Sequence, residues 1–184
     1  EEVSKVAVAN HVKLAQTTMV DLGVEFDEWF NESKLHESGE TEKALSRLKS
    51  VGVTEEKDGA LWFKFGDNQE AVLVKSDGNK TYLMNDIAYS INKLEKRGFN
   101  RAINIWGTDH HGDVPRLLAG VAVLGHEGKM EILLHQLVLL KQKDPSTGSG
   151  QVLKISKRAG NLVLLDDLVK DVGRDAVRFF FLMK

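Results

Sequence analysis

Ala102-Ile103-Asn104-Ile105-Trp106-Gly107-Thr108-Asp109-His110-His111-Gly112-Asp113-Val114-Pro115 holds the change of rhythm on which the fold turns. Residues 102–106 are apolar except for Asn104 and read as a strand. Residues 107–112 open and close with glycine and read as a loop. Pro115 suits the first turn of a helix, where no amide hydrogen is needed. The helix predicted from it covers residues 115–124 and is closed by Gly125. Residues 130–140 are apolar enough for one buried strand or two. Strand, helix and strand in succession describe an α/β layer on a partly parallel sheet.

The same alternation extends outward. Residues 71–75 read as a strand, 76–79 as a turn, and 81–83 as extended chain. Asn85 or Asp86 can then cap a helix with Ile87, Ile91 and Leu94 inward, stopped by Gly98. Downstream, residues 144–150 form a Pro/Ser/Gly-rich turn, and residues 165–172 and 175–183 read as helices parted by Gly173. Upstream, Val8, Val12, Ala15, Met19 and Leu22 recur at helical spacing, so residues 1–24 read as a helix that Gly23 can end. Phe26, Trp29 and Phe30 read as a packed aromatic anchor. Residues 40–51 form a second helix with Ala44, Leu45, Leu48 and Val51 inward. A turn at Lys57-Asp58-Gly59 leads into a half-buried strand marked by Leu61, Phe63 and Phe65. The polar stretch 66–70 divides this first part, residues 1–69, from the more regular residues 70–184.

Composition narrows the choices. At 184 residues the chain fits one domain, or one with a small appendage. A net charge of −2 gives no global basic field, so any nucleic-acid contact must come from local patches. There is no cysteine, which excludes disulfides and thiolate metal sites. No apolar run reaches a membrane-spanning length and nothing reads as a signal peptide, so a cytoplasmic chain is the simplest expectation. The start at Glu1 reads as that of a piece cut from a longer protein. The small-residue tract 146–150 lacks the lysine of a phosphate-binding P-loop.

Three groups could carry chemistry. Tyr82 sits at a predicted strand end and Asp86 in the first turn of the helix that follows, where both could face one pocket and the carboxylate either caps the helix or pairs with a cationic ligand. Gly107, Asp109, His110 and His111 lie between a strand and a helix, where a nucleotide can approach closely. The same residues could instead cap and pack. With Asp113 they could also ligate a metal, as in an Asp-His-His phosphoesterase. The third group is Lys154-Ile155-Ser156-Lys157-Arg158-Ala159-Gly160, a short loop of concentrated positive charge. Lys154 and Lys157 flank Ser156 and could reach a phosphate chain whose charge grows as pyrophosphate leaves. A solvated basic loop is the plain alternative.

In that order the motifs resemble the arginyl-tRNA synthetases, a class I family. The basic loop resembles the class I signature loop, with Ile155 where methionine is commonest. Matching segments are residues 72–78, 81–89, 106–112 with 114–116, 154–160 and 175–183, and upstream 35–39 and 57–62. The resemblance implies the second half of a class I Rossmann-like nucleotide-binding fold at residues 70–184, with residues 1–69 as a small α+β connecting insertion. It implies an enzyme that uses ATP, with Mg2+, to activate arginine and then passes the arginyl group to tRNA(Arg). Tyr82, Asp86 and His110 would hold arginine. Gly107, Asp109, His110 and Leu153 would lie near the adenosine, and Lys154, Ser156 and Lys157 would address the phosphates. No dedicated protein cage for a metal is expected, nor any membrane partner, and a monomer is favoured. The family's earlier His-Ile-Gly-His-type motif does not occur here, which places residues 1–184 in the inner part of the catalytic region. Full activity would then need N- and C-terminal parts. A non-catalytic paralogue or binding module that keeps the fold is the alternative.

Overall fold

A computed structural model describes residues 2–136, 138, 141–143, 150–152 and 163–183, with the backbone alone at 141–143 and 150–152. The chain divides into two compact units, one made of Glu1–Trp29 with Gln136–Lys184 and the other of Phe30–His135.

The first unit opens with helix α1, Glu2–Asp21. Val12, Ala15, Met19 and Leu22 are half-buried along it, as their spacing predicts, while Val8 is exposed. The second unit begins with a short helix α2, Ser33–Glu37, and then α3, Glu40–Ser50. Ala44 and Leu48 of α3 are buried as expected, but Val51 lies past its end and is exposed. Strands β1 (Thr54–Lys57), β2 (Ala60–Phe65) and β3 (Gln69–Val74) follow, forming an antiparallel sheet in that order. Asp58 and Gly59 both take positive φ, 52° and 75°, which closes a two-residue hairpin whose twist suits its strands. Leu61 and Phe63 of β2 and Ala71 and Leu73 of β3 point into the core.

Helix α4, Tyr82–Ile91, runs on into a wide π-type turn at Asn92–Lys96. Its start corrects the sequence expectation. Residues 82 and 83 are helical rather than extended, and Thr81 is the capping residue, not Asn85 or Asp86. Strand β4, Ala102–Gly107, leads through a 3-10 turn at Thr108–Asp113 into α5, Val114–Val121. A second π-type turn, Ala122–His126, precedes β5, Met130–His135. β4 and β5 pair in parallel, Ala102 opposite Met130 and Gly107 opposite His135, so this is the expected strand–helix–strand unit. One core joins Phe63, Leu73, Met84, Ile87, Leu117 and Val121, with Trp106 and Ile132 packed partly against it. Gly120 lets α5 approach α4 closely, since a Cβ there would fall 2.5 Å from Ile87 Cδ1. The opposite face of the β4–β5 pair leaves Ile103, Ile105 and Leu133 exposed.

The rest of the first unit pairs β6 (Lys141–Lys143) antiparallel with β7 (Gly150–Val152) and ends in α6 (Leu165–Val172) and α7 (Arg174–Leu182). Arg178 donates to the carbonyls of Leu22 and Gly23, both at 3.0 Å, and so ties α7 to the end of α1. The division expected between residues 69 and 70 falls at the start of β3, inside the Phe30–His135 unit.

Candidate active site

Thr81 positions the first wall of the site. Its amide donates to the Leu73 carbonyl at 2.9 Å and its hydroxyl donates to the Val72 carbonyl at 2.8 Å. The same hydroxyl oxygen accepts from the Met84 amide, capping α4 on the end of β3. Tyr82 and Asp86 therefore leave one side of α4 a turn apart, beside Ala71 and Val72 of β3. The second wall begins where β4 ends. Trp106 on that strand packs against the edge of the His110 ring, with centroids 6.2 Å apart. Asp113 and Arg116 continue this wall onto α5 and form an ion pair. Between the walls lies a cleft of about 690 Å³ that Trp62 and Glu70 help to line. That is the size of a small-molecule site.

Its electrostatics centre on Asp86. Asp86 is exposed through the cleft, while protein packs around part of its carboxyl group. Burial, with the fields of Glu32 and Asp113, pushes its carboxyl up to about 6, while Lys93 and His110 act the other way. Lys93 does not neutralise it by contact. Its ammonium lies 4.6 Å from the Tyr89 ring centre and donates to Asn104 Oδ1. Burial also depresses the proton affinity of Lys93, as does Arg97, against the pull of Asp86. Asp86 is thus a carboxylate with too little positive charge around it, and a cationic ligand would supply what is missing. Asn85 beside it donates to Glu32 at 2.6 Å, which holds a second carboxylate near the first.

Tyr82, Asp86 and His110 come together in this cleft. Tyr82 does so as the first residue of a helix, 85% exposed, rather than at a strand end. Gly107 and Asp109 flank the cleft without lining it. Gly107 keeps the backbone close to Asp109, whose Oδ1 would lie 2.5 Å from a Cβ placed there. His111 turns back, with Nδ1 3.1 Å from the Thr108 carbonyl, and serves the turn rather than the cleft. Leu153, Lys154, Ser156 and Lys157 lie outside the described residues. Among the described residues no group of three or more histidine or acidic side chains could hold a metal ion.

Three residues of the site escape the sequence reading, and a fourth, Asp113, enters it only as a candidate metal ligand. Trp62 had a signal, because the inward alternation of Leu61, Phe63 and Phe65 puts it on the other face of β2. Asp113 and Arg116 had one too, as opposite charges three apart at a helix start. Glu32 had none, since only the tertiary fold brings it to Asp86.

The comparisons with known proteins bear on this geometry. The profile described as tRNA synthetases class I (R), catalytic domain, matches residues 4–180. The chain belongs to that family. An arginine–tRNA ligase of Moorella thermoacetica is 44% identical over 187 aligned residues, which take in all of this chain and 32% of the relative. One from Bacillus subtilis is 46% identical over 165 residues, covering 88% of this chain and 28% of the relative. A crystal structure from Campylobacter jejuni assigned as an arginyl-tRNA synthetase superposes with a TM-score of 0.82 at 32% identity, covering all of this chain and 39% of that one. The chain therefore spans about a third of the length of the class I (R) synthetases it matches. Membership gives the class I Rossmann-like architecture for the mixed α/β chain and sets aside the phosphoesterase reading of the histidine loop.

Proposed function

We propose that this chain is the inner part of the catalytic region of an arginine–tRNA ligase, and that the cleft between α4 and the end of β4 takes the arginine side chain. The under-neutralised Asp86 carboxylate carries this reading. A guanidinium presents only donors, in a planar fork that fits a carboxylate in two places. Asp86 would take the fork, Glu32 would add negative field, and Tyr82 and His110 would border the ligand. In the proposed reaction the arginine carboxylate attacks the α-phosphorus of ATP and pyrophosphate leaves. A hydroxyl of the terminal tRNA ribose then attacks the arginyl carbonyl and releases AMP. Lys154, Ser156 and Lys157 would meet the charge that develops on the departing pyrophosphate, and Gly107, Asp109, His110 and Leu153 would border the adenosine. Magnesium would travel with the triphosphate, whose charge it screens.

In this reading residues 1–69 are the connecting insertion of the family and residues 70–184 the second half of the nucleotide-binding fold. That is a division by role, which the β2–β3 hairpin bridges. The working enzyme would be a cytoplasmic monomer that meets tRNA(Arg). Among the described residues no helix is long and apolar enough to cross a membrane.

The test is calorimetric titration of the chain with arginine, citrulline and lysine, alongside Asp86→Asn. Arginine should bind, citrulline should not, and the substitution should abolish binding. Equal binding of arginine and citrulline, or an undiminished Asp86→Asn, would remove Asp86 from the role.

A further inference from the structure

We propose that Asp113 is a positioning residue: it fixes which nitrogen of the His110 ring carries the proton, and so presents the other nitrogen to the cleft as an acceptor. The histidine Nδ1 lies 3.3 Å from Asp113 Oδ2. A carboxylate only accepts, so the ring nitrogen facing it must be the one that donates. Asp113 is not free to turn away, because its other oxygen is ion-paired with Arg116, three residues on. The ring is also confined by the edge contact with Trp106. The competing carboxylate is Asp109, whose Oδ2 stands 3.7 Å from Nε2, beyond hydrogen-bond reach.

With the proton on Nδ1, a neutral His110 offers a lone pair at Nε2. Partners of this kind commonly set the tautomer of a working histidine. The consequence for the ligand rests on the reading of the cleft as an arginine pocket. A guanidinium has donors and no acceptor, so an acceptor nitrogen on His110, which lines the cleft with Asp86, would be its chemical complement. The opposite tautomer would set a donor against a donor. His110 would then be a discriminating group, and Asp113 the residue that makes it one.

The experiment is a two-bond 1H–15N correlation spectrum of the full 184-residue chain with 15N-labelled histidine, at mildly alkaline pH and without ligand. His110 is expected in the Nδ1–H form. In Asp113→Asn the amide can turn its NH2 toward the ring and donate, so the Nε2–H form should appear. Asp109→Asn should leave the wild-type pattern unchanged. An Nε2–H ring in the wild type, or an unaltered ring in a folded Asp113→Asn, overturns the proposal. The wild-type spectrum decides the first point even if a variant fails to fold. Arginine titrations separate the two layers. Asp113→Asn should bind arginine about tenfold more weakly, the cost of one lost hydrogen bond. A wild type with the Nδ1–H ring that binds no arginine defeats the arginine reading and supports the positioning role. A changed ring with unchanged arginine affinity defeats the acceptor role of Nε2.

Discussion

Asp86 shows how one side chain can be at odds with its fold. Its proton affinity rises from an ordinary 3.8 to about 6 on folding, chiefly through burial. Between those values the native chain binds more proton than the unfolded one, so this contribution to stability falls as pH rises from 4 to 6. Above that window the cost is fully present. Asp86→Asn should therefore melt a few degrees above wild type at pH 7.5, and the two curves should converge near pH 4, as scanning calorimetry would show. A lower melting point for the variant at pH 7.5 would contradict it. Cation binding runs the opposite way, since only the ionised carboxylate holds a guanidinium. Arginine affinity should drop about tenfold for each pH unit below the Asp86 midpoint. Binding there should also release protons, measurable from titrations in buffers of different ionisation enthalpy. Tyr82 was expected at a strand end and instead stands one turn before Asp86 on the same helix, whereas Asp86 was legible as a carboxylate in the first turn of a predicted helix. Glu32, which helps to shift Asp86, was not, because fifty-odd residues of chain separate them.

At the scale of elements, the reading held where a period was strong. Ile87, Ile91 and Leu94 all point inward, and the turn at Asp58 and Gly59 closes a hairpin. It failed at β1, where Thr54-Glu55-Glu56-Lys57 has no apolar alternation to read. That strand is a charged edge, held by its ladder with β2 and by ion pairs such as Lys64 with Glu55. The start of α4 was misplaced for a different reason. Thr81 caps it while its hydroxyl is bound to the end of β3, a contact that no local window contains. The contact between α4 and α5 gives a direct test. Gly120→Ala would push a methyl into Ile87, which is fully buried and has little room to yield. Overpacking of this kind costs about 1–3 kcal/mol, readable in denaturant melts. Adding Ile87→Val removes Cδ1, the nearer of the two atoms in conflict, and should recover part of the loss. A neutral Gly120→Ala would mean that the helices part more easily than their packing indicates.

For the whole molecule, every residue that lines the cleft belongs to the Phe30–His135 unit. That unit also holds its own core, from Ala44 to Met130. A piece comprising residues 30–135 should therefore fold alone and bind arginine as the full chain does. Circular dichroism and the same titration would check this. A folded piece that had lost arginine would mean that the other unit contributes to the pocket. The parallel β4–β5 pair and its α5 connection were legible from the alternation of strand and helix patterns. The division into units was not, because it depends on two chain ends that are distant in sequence lying in one unit.

The tie between Thr81 and β3 has a consequence in time as well as in space. Trp62 precedes that tie in the chain and Tyr82 follows it directly, while His110 and Arg116 come from an element that must first complete its own crossover. Distant segments pair late, because loop closure must precede the contacts that reward it. The pocket should therefore be empty of affinity in any chain whose β4 and α5 have not yet docked on α4. A nascent chain emerging from the ribosome would be blind to arginine until β4 and α5 had docked, and the ligand would then recognise only the finished form.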